Sequence, residues 1–272
     1  MSGSRTRPSD AHLKELGLGR WRHRDSNGTD GAGNEAEEMN NPTAGVAGNV
    51  EEEKSRTTTL TLDAEGRHLR QWRMVRKEVS ECVLCDLHRT RKNTVFGVGA
   101  EDADLMLIGE APGADEDAQG EPFVGRAGKL LDSMLAAIGL SREQVFIANI
   151  LKCRPPNNEN PTPEQAEKCR PYLDRQIGLI RPRAILALGA VAAHNLLDVE
   201  TPIGRLRGTV HEMSGSGIPV IPTYHPAYLL RRPQGKAQAF EDLLLLCDVL
   251  QDLGSQPATP AEETATRRER DV

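Results

Sequence analysis

Apolar residues recur along this chain with two rhythms. DLMLIGE (104–110), VFIANIL (145–151), AILALG (184–189) and IPVIPTYHP (218–226) are short runs with no polar face, separated by stretches of helical period. Runs of that length and uniformity predict strands buried on both sides of a sheet. Between them, apolar positions return every three or four residues in AGKLLDSMLAAIGL (127–140), AVAAHNLL (190–197) and QAFEDLLLLCDVLQDL (238–253). The same spacing carries Leu69, Trp72, Val75 and Val79, which predicts a helix over 67–81. Thr162-Pro163-Glu164-Gln165 adds a start signal for another helix, with Thr at the N-cap, Pro in the first turn and Gln three residues on. Buried strands alternating with helices predict the α/β class: a three-layer α/β/α sandwich around a central four-stranded parallel sheet.

Outside this pattern the chain is polar and aperiodic. SNGTDGAGNEAEEMNNPTAGVAGNVEEEKS and the terminal SQPATPAEETATRRERDV lack the apolar residues needed for a core. We therefore expect a folded domain over 65–253 flanked by disordered tails at 1–64 and 254–272. The full chain of 272 residues carries a formal net charge of −6. Much of that excess lies in the tails, leaving the folded part near charge balance, which argues against a strongly basic nucleic-acid binder and leaves only a local basic patch open. No apolar run reaches the length of a membrane span, and the N-terminus lacks the apolar core of a secretory signal. A cytoplasmic location is expected.

In open parallel sheets, ligands gather at the carboxyl ends of the strands. Those ends carry GEAPG (109–113), NILKCRPP (149–156), GAVAAHN (189–195) and YHPAYLLRR (224–232). The first continues through GADEDAQGEPFVGRAG, rich in glycine and carboxylates, with Phe123 its lone aromatic.

The chain has five cysteines. Cys247 lies in an apolar helical run, as a buried structural thiol would. Cys82 and Cys85 form a C-x-x-C, while Cys153 and Cys169 flank a Pro-rich loop, each followed by Arg and a nearby Pro. Four thiolates can bind zinc or an iron–sulfur cluster, and four unrelated buried thiols would look the same; spacing leaves these open.

Taken in order, these motifs resemble the family 4 uracil-DNA glycosylases, the iron–sulfur branch of that superfamily. The likeness covers nearly the whole folded part: Cys82/Cys85, GEAPG, PFVGRAG (122–128), NILKCRPP, Cys169, LGAVAA (188–193) and HPAYLLR (225–231). It implies a uracil-DNA glycosylase-like fold and a structural 4Fe–4S cluster on Cys82, Cys85, Cys153 and Cys169. It also implies a monofunctional hydrolase that excises uracil from single- and double-stranded DNA, initiating base excision repair. A related branch that attaches covalently to DNA has a His-containing basic loop after the Asn-bearing strand. The corresponding KCRPPNNENPTPEQAEKC has no histidine, which implies turnover.

Excision leaves a uracil anion and a cation-like sugar, and the base must first leave the duplex. The resemblance implies roles for particular side chains. Phe123 would stack on the base; an ordinary core position is the alternative. Asn149, ending an apolar strand, would read the uracil edge, since an amide offers one donor and one acceptor. His225 would donate to O2 as negative charge develops there. Glu110 would orient water or face the sugar cation, with Asp115, Glu116 and Asp117 as alternatives or merely a solvated acidic loop. Ala111, Pro112 and Gly113 would let backbone N–H groups approach the substrate. Tyr228, Leu229 and Leu230 would form a wedge beside Arg231 and Arg232 at the DNA, with Arg89 to Asn93 a second basic candidate. A monomer acting on uracil-containing DNA, followed by downstream repair enzymes, is expected. The rival reading is a non-catalytic iron–sulfur DNA-binding or redox-sensing protein on the same fold.

Overall fold

The computed structural model describes residues 66–255. The chain divides into two units, Met1–Met74 and Val75–Val272. Of the first unit only 66–74 are described, and they are helical. The tail expected at 1–64, and that beyond Ser255, lie outside the described residues.

Helix α1 covers 66–80, one residue from the span predicted by its period, and Val75 and Val79 are buried. A two-residue strand, β1 (Val98–Gly99), precedes β2 (Leu105–Gly109), which is followed by α2 (Ala114–Gln119) and α3 (Arg126–Ala137). Next come β3 (Phe146–Asn149), α4 (Pro163–Ile180), β4 (Ala184–Leu188), α5 (Ala190–Leu197), α6 (Ile203–Leu206) and β5 (His211–Glu212). The chain closes with β6 (Pro219–Thr223), α7 (Pro226–Arg231) and α8 (Lys236–Ser255). The start of α4 has the expected chemistry: Thr162 Oγ1 accepts from Gln165 N at 3.2 Å and Gln165 Oε1 from Thr162 N at 3.1 Å.

The sheet order is β1-β3-β2-β4-β6-β5. The four predicted strands form its parallel centre, with every residue of β2, β3 and β4 buried. The sequence pattern missed β1 and β5, antiparallel edge strands of two residues each. Segments that short are fixed by their partner and have no periodicity to detect. Pro222 stands in β6, where a proline removes a ladder donor. Gly189 N donates to Thr223 O at 2.8 Å, so 221 and 223 face β4, and Pro222 faces the β5 side beyond residues 219 and 220, where β5 pairs.

From β2 the chain steps to β3 on one side, then crosses back to β4 on the other. With right-handed crossovers this reversal puts helices on both faces and opens a crevice beyond the carboxyl ends of β2 and β4. Two further helices were read as loop. The acidic segment after GEAPG is α2, and HPAYLLR forms α7 with His225 as N-cap and Pro226 in its first turn. Pro226 was the available start signal for α7.

Candidate active site

Glu110, Ala111, Pro112, Gly113, Phe123, Asn149 and His225 line one cavity of about 380 Å³ at the carboxyl edge of the sheet. Three strands deliver them: Glu110 follows β2, Asn149 ends β3, and His225 follows β6 by two residues. Backbone pairing continues past β2 and β3, with Ile150 N donating to Gly109 O at 2.9 Å and Leu151 N to Glu110 O at 3.0 Å. Glu110 and Asn149 are thereby held in register on adjacent strands.

Phe123 is buried and adopts φ 55°, a left-handed conformation that a residue with a bulky side chain seldom takes. Its neighbours explain how it is held. Arg142 donates to Phe123 O at 3.0 Å and to Pro122 O at 2.7 Å. A Cβ on Gly128 would lie 1.6 Å from Phe123 O, and one on Gly109 would lie 2.7 Å from the ring. Glycine at 128 admits the Phe123 backbone, and glycine at 109 admits its ring. The Phe123 and His225 rings lie 5.5 Å apart, tilted by 31°.

Asn149 is buried, and its Oδ1 has no hydrogen-bond partner. An orphaned buried amide oxygen is costly unless something supplies a donor. His225 Nδ1 accepts from Ala227 N at 3.1 Å, so the ring proton of the neutral imidazole sits on Nε2. Burial, aided by the Arg231 charge, brings its pKa down to about 4. His225 is therefore a neutral imidazole with an Nε2–H donor at ordinary pH. Burial raises the pKa of Glu110, since it disfavours the carboxylate.

The neighbouring carboxylates do other things. Glu116 Oε1 accepts from Val124 N and Gly125 N at 3.0 and 3.1 Å, and Oε2 from Gly113 N at 3.1 Å. This one side chain clasps the GEAPG loop to the PFVG loop. Asp117 is buried and accepts from Lys92 N at 2.8 Å and Asn93 N at 3.3 Å. Neither is a solvated loop carboxylate; Asp115 is exposed. Glu110 is the acidic residue of this group that lines the cavity with a carboxylate free of hydrogen bonds to the described residues.

One wall was missed in the sequence. Pro155, Asn158, Glu159 and Asn160, from the loop after Cys153, also line the cavity. Their signal was the polar NNEN after a double proline, following directly on the Asn149 strand. Asp242 was missed too. Buried on α8, it accepts from Thr223 Oγ1 at 2.8 Å and Gly208 N at 3.0 Å and pairs with Arg207, fixing the strand end that leads to His225.

Of the expected DNA wedge, Tyr228 is exposed and lines the cavity mouth with Arg231; its ring rests on Tyr224 at 5.0 Å. Leu229 requires correction: it is 1 % exposed and so packs inward, where it cannot enter DNA. On a helix, adjacent residues point in different directions, so three consecutive residues do not form one wedge. Leu230 is half-buried and Arg232 exposed, both outside the cavity lining. In the second basic segment, Arg91 turns inward, donating to Cys153 Sγ at 3.1 Å and Cys82 O at 2.8 Å.

The four cysteines share one neighbourhood. Cys153 and Cys169 pack with Cys85 against Leu87, Leu151 and Ala111, and Lys152 N donates to Cys169 Sγ at 3.3 Å. Burial pushes the Cys169 thiol up to about 11 and raises that of Cys153, with Cys82 adding to both shifts. Among the described residues, no three His, Cys, Asp or Glu side chains are placed to share a single metal ion. Gathered thiols with cationic Arg91 and Lys152 beside them suit a larger anionic group. Cys247 is buried on α8, as its surroundings predicted.

The chain is similar to known proteins. The uracil DNA glycosylase superfamily matches residues 96–245, which hold the cavity-lining residues named above. The Type-4 uracil-DNA glycosylase of Archaeoglobus fulgidus is 56 % identical over 164 residues, 58 % of this chain and 82 % of that protein. That of Thermotoga maritima is 46 % identical over 159 residues, 58 % and 82 % of the two chains. A Type-5 uracil-DNA glycosylase of Pyrobaculum aerophilum is 31 % identical over 148 residues, 48 % of this chain and 64 % of that one. Matched over more than half its length, and aligned with most of its Type-4 relatives, this chain belongs to the uracil-DNA glycosylase superfamily.

Proposed function

We propose that the chain excises uracil from single- and double-stranded DNA by hydrolysis, leaving an abasic site and so initiating base excision repair. The orphaned Asn149 Oδ1, buried beside Phe123 in the cavity, carries this reading. Uracil N3–H is the donor that oxygen lacks, and the amide's own N–H then meets O4. Cytosine reverses both groups. Phe123 stacks on the extruded base, and the Nε2–H of His225 donates to O2, where negative charge grows as the glycosidic bond breaks. Glu110 holds the attacking water or faces the sugar cation, and Gly113 and its neighbours let the nucleotide approach. Tyr228, Leu230, Arg231 and Arg232 contact DNA beside the pocket.

Cys82, Cys85, Cys153 and Cys169 hold a 4Fe–4S cluster whose contribution is structural. It fastens the 82–85 segment to the loop that walls the pocket. Supporting this are the shared neighbourhood of the thiols and their cationic surroundings. Among the described residues no helix is long and apolar enough to cross a membrane. The proposal includes a cytoplasmic monomer with its folded domain at 65–253.

A uracil-containing oligonucleotide treated with the protein and then alkali should break at the uracil, and a matching cytosine strand should not. An unbroken uracil strand, with the protein folded and iron-loaded, overturns the proposal. His225→Ala should cost ~10²–10³ in single-turnover rate, the usual effect of losing a preorganised donor to a developing oxyanion.

A further inference from the structure

Lys152 is 1 % exposed, yet it follows the pocket strand by three residues and precedes Cys153. Its Nζ donates to the backbone O of Asn149 at 2.9 Å. Its backbone is tied on both sides, N to Cys169 Sγ at 3.3 Å and O to Val95 N at 2.8 Å. Cys153 follows it directly in the chain, and Cys169 lies against its backbone. A buried cation with one carbonyl partner is expensive to maintain unless an anion lies close. The side-chain partner of Lys152 is the Asn149 carbonyl, so the lysine's reach ends at the pocket strand.

We infer that Lys152 is a positioning residue for base recognition: tied through its backbone to Cys169, it fixes the Asn149 carbonyl with its Nζ and with it the amide that reads the base. Three features favour this over a purely structural lysine. Asn149 is the cavity residue with an unpartnered buried oxygen, so its placement has no side-chain hydrogen bond at Oδ1 to set it. A methionine would fill the same space without burying a charge. Finally, the donor reaches back three residues to the strand end, although acceptors of the centre are nearer in sequence.

The inference rests on the proposed uracil pocket, and the test separates the two. Uracil excision is measured under single-turnover conditions for Lys152→Met, Lys152→Arg, Asn149→Ala and the Lys152→Met/Asn149→Ala pair, with iron content and visible absorption recorded for each. We expect Lys152→Met to keep its iron and lose about tenfold to a hundredfold in rate, as for small misplacements of a substrate-orienting group. Lys152→Arg, which retains donor and charge, should recover most of that loss. In the Asn149→Ala background, Lys152→Met should have no further effect, because a residue acting through Asn149 loses its influence with that side chain. If the methionine variant fails to fold, Lys152→Gln, which keeps a donor without charge, takes its place in the cycle. Additive effects, a wild-type rate in Lys152→Met, or loss of iron as its main consequence overturns the inference. A wild-type rate in Asn149→Ala overturns instead the pocket assignment beneath it.

Discussion

Burial acts on Glu110 and His225 in opposite directions on the pH scale and toward the same neutral state. For His225 the outcome is a donor that stays neutral down to about pH 4. Between about 4 and the ordinary value of 6.5, the unfolded chain binds a proton there that the folded chain refuses. Its contribution to stability therefore rises with pH through that window and is complete above it. The raised pKa of Glu110 works the other way, favouring the folded state only while the carboxyl is protonated. If Glu110 acts as a carboxylate, single-turnover excision should rise with pH through a value above the ordinary 4.5. Glu110→Gln should lower the plateau and flatten that limb. An unchanged limb in the variant would assign it to another group. Asn149, Phe123, His225 and Glu110 were all identifiable from residue type and motif; the orphaned oxygen and the His225 tautomer were not, because both depend on what lies beside them in space.

At the scale of elements, α2 decides how the pocket is assembled. DEDAQG reads as a polar loop because its carboxylates lack helical amphipathicity, and a six-residue helix has too few turns to show a period. Its Glu116 nevertheless accepts three backbone N–H groups from two loops that meet only in the fold. Glu116→Ala leaves those donors without their acceptor, at about 1–3 kcal/mol for the network. The expected result is a lower Tm together with a larger loss of excision rate than of DNA affinity, since the loop carrying Phe123 loosens. Equal Tm and rate to the parent would show that Arg142 and Gly128 suffice to hold that loop. The α7 helix teaches a related point. Its Pro226 was visible as a helix start, but residues 228–230 were read without the helical turn that buries Leu229 and exposes Tyr228.

Over the whole molecule, the segment from Cys153 to Cys169, a loop running into α4, joins two functions, since Pro155, Asn158, Glu159 and Asn160 wall the cavity while its ends carry two of the four gathered thiols. Cys153→Ala should lower iron per chain, bleach the visible absorption and reduce Tm more than it alters chemistry in the molecules that remain loaded. Full iron content in that variant would remove Cys153 from the ligand set. The chain itself dictated the four buried parallel strands, the long helices and the α4 cap, since apolar period and capping are local properties written in neighbouring residues. It also dictated which residue types stand at the strand ends. The tertiary structure alone decided the two edge strands, the clasp by Glu116, the inward turn of Arg91 and Leu229, and the reach of Lys152 to Asn149. Each of these depends on burial and partner geometry that exist only in the fold, where they outweigh local preference.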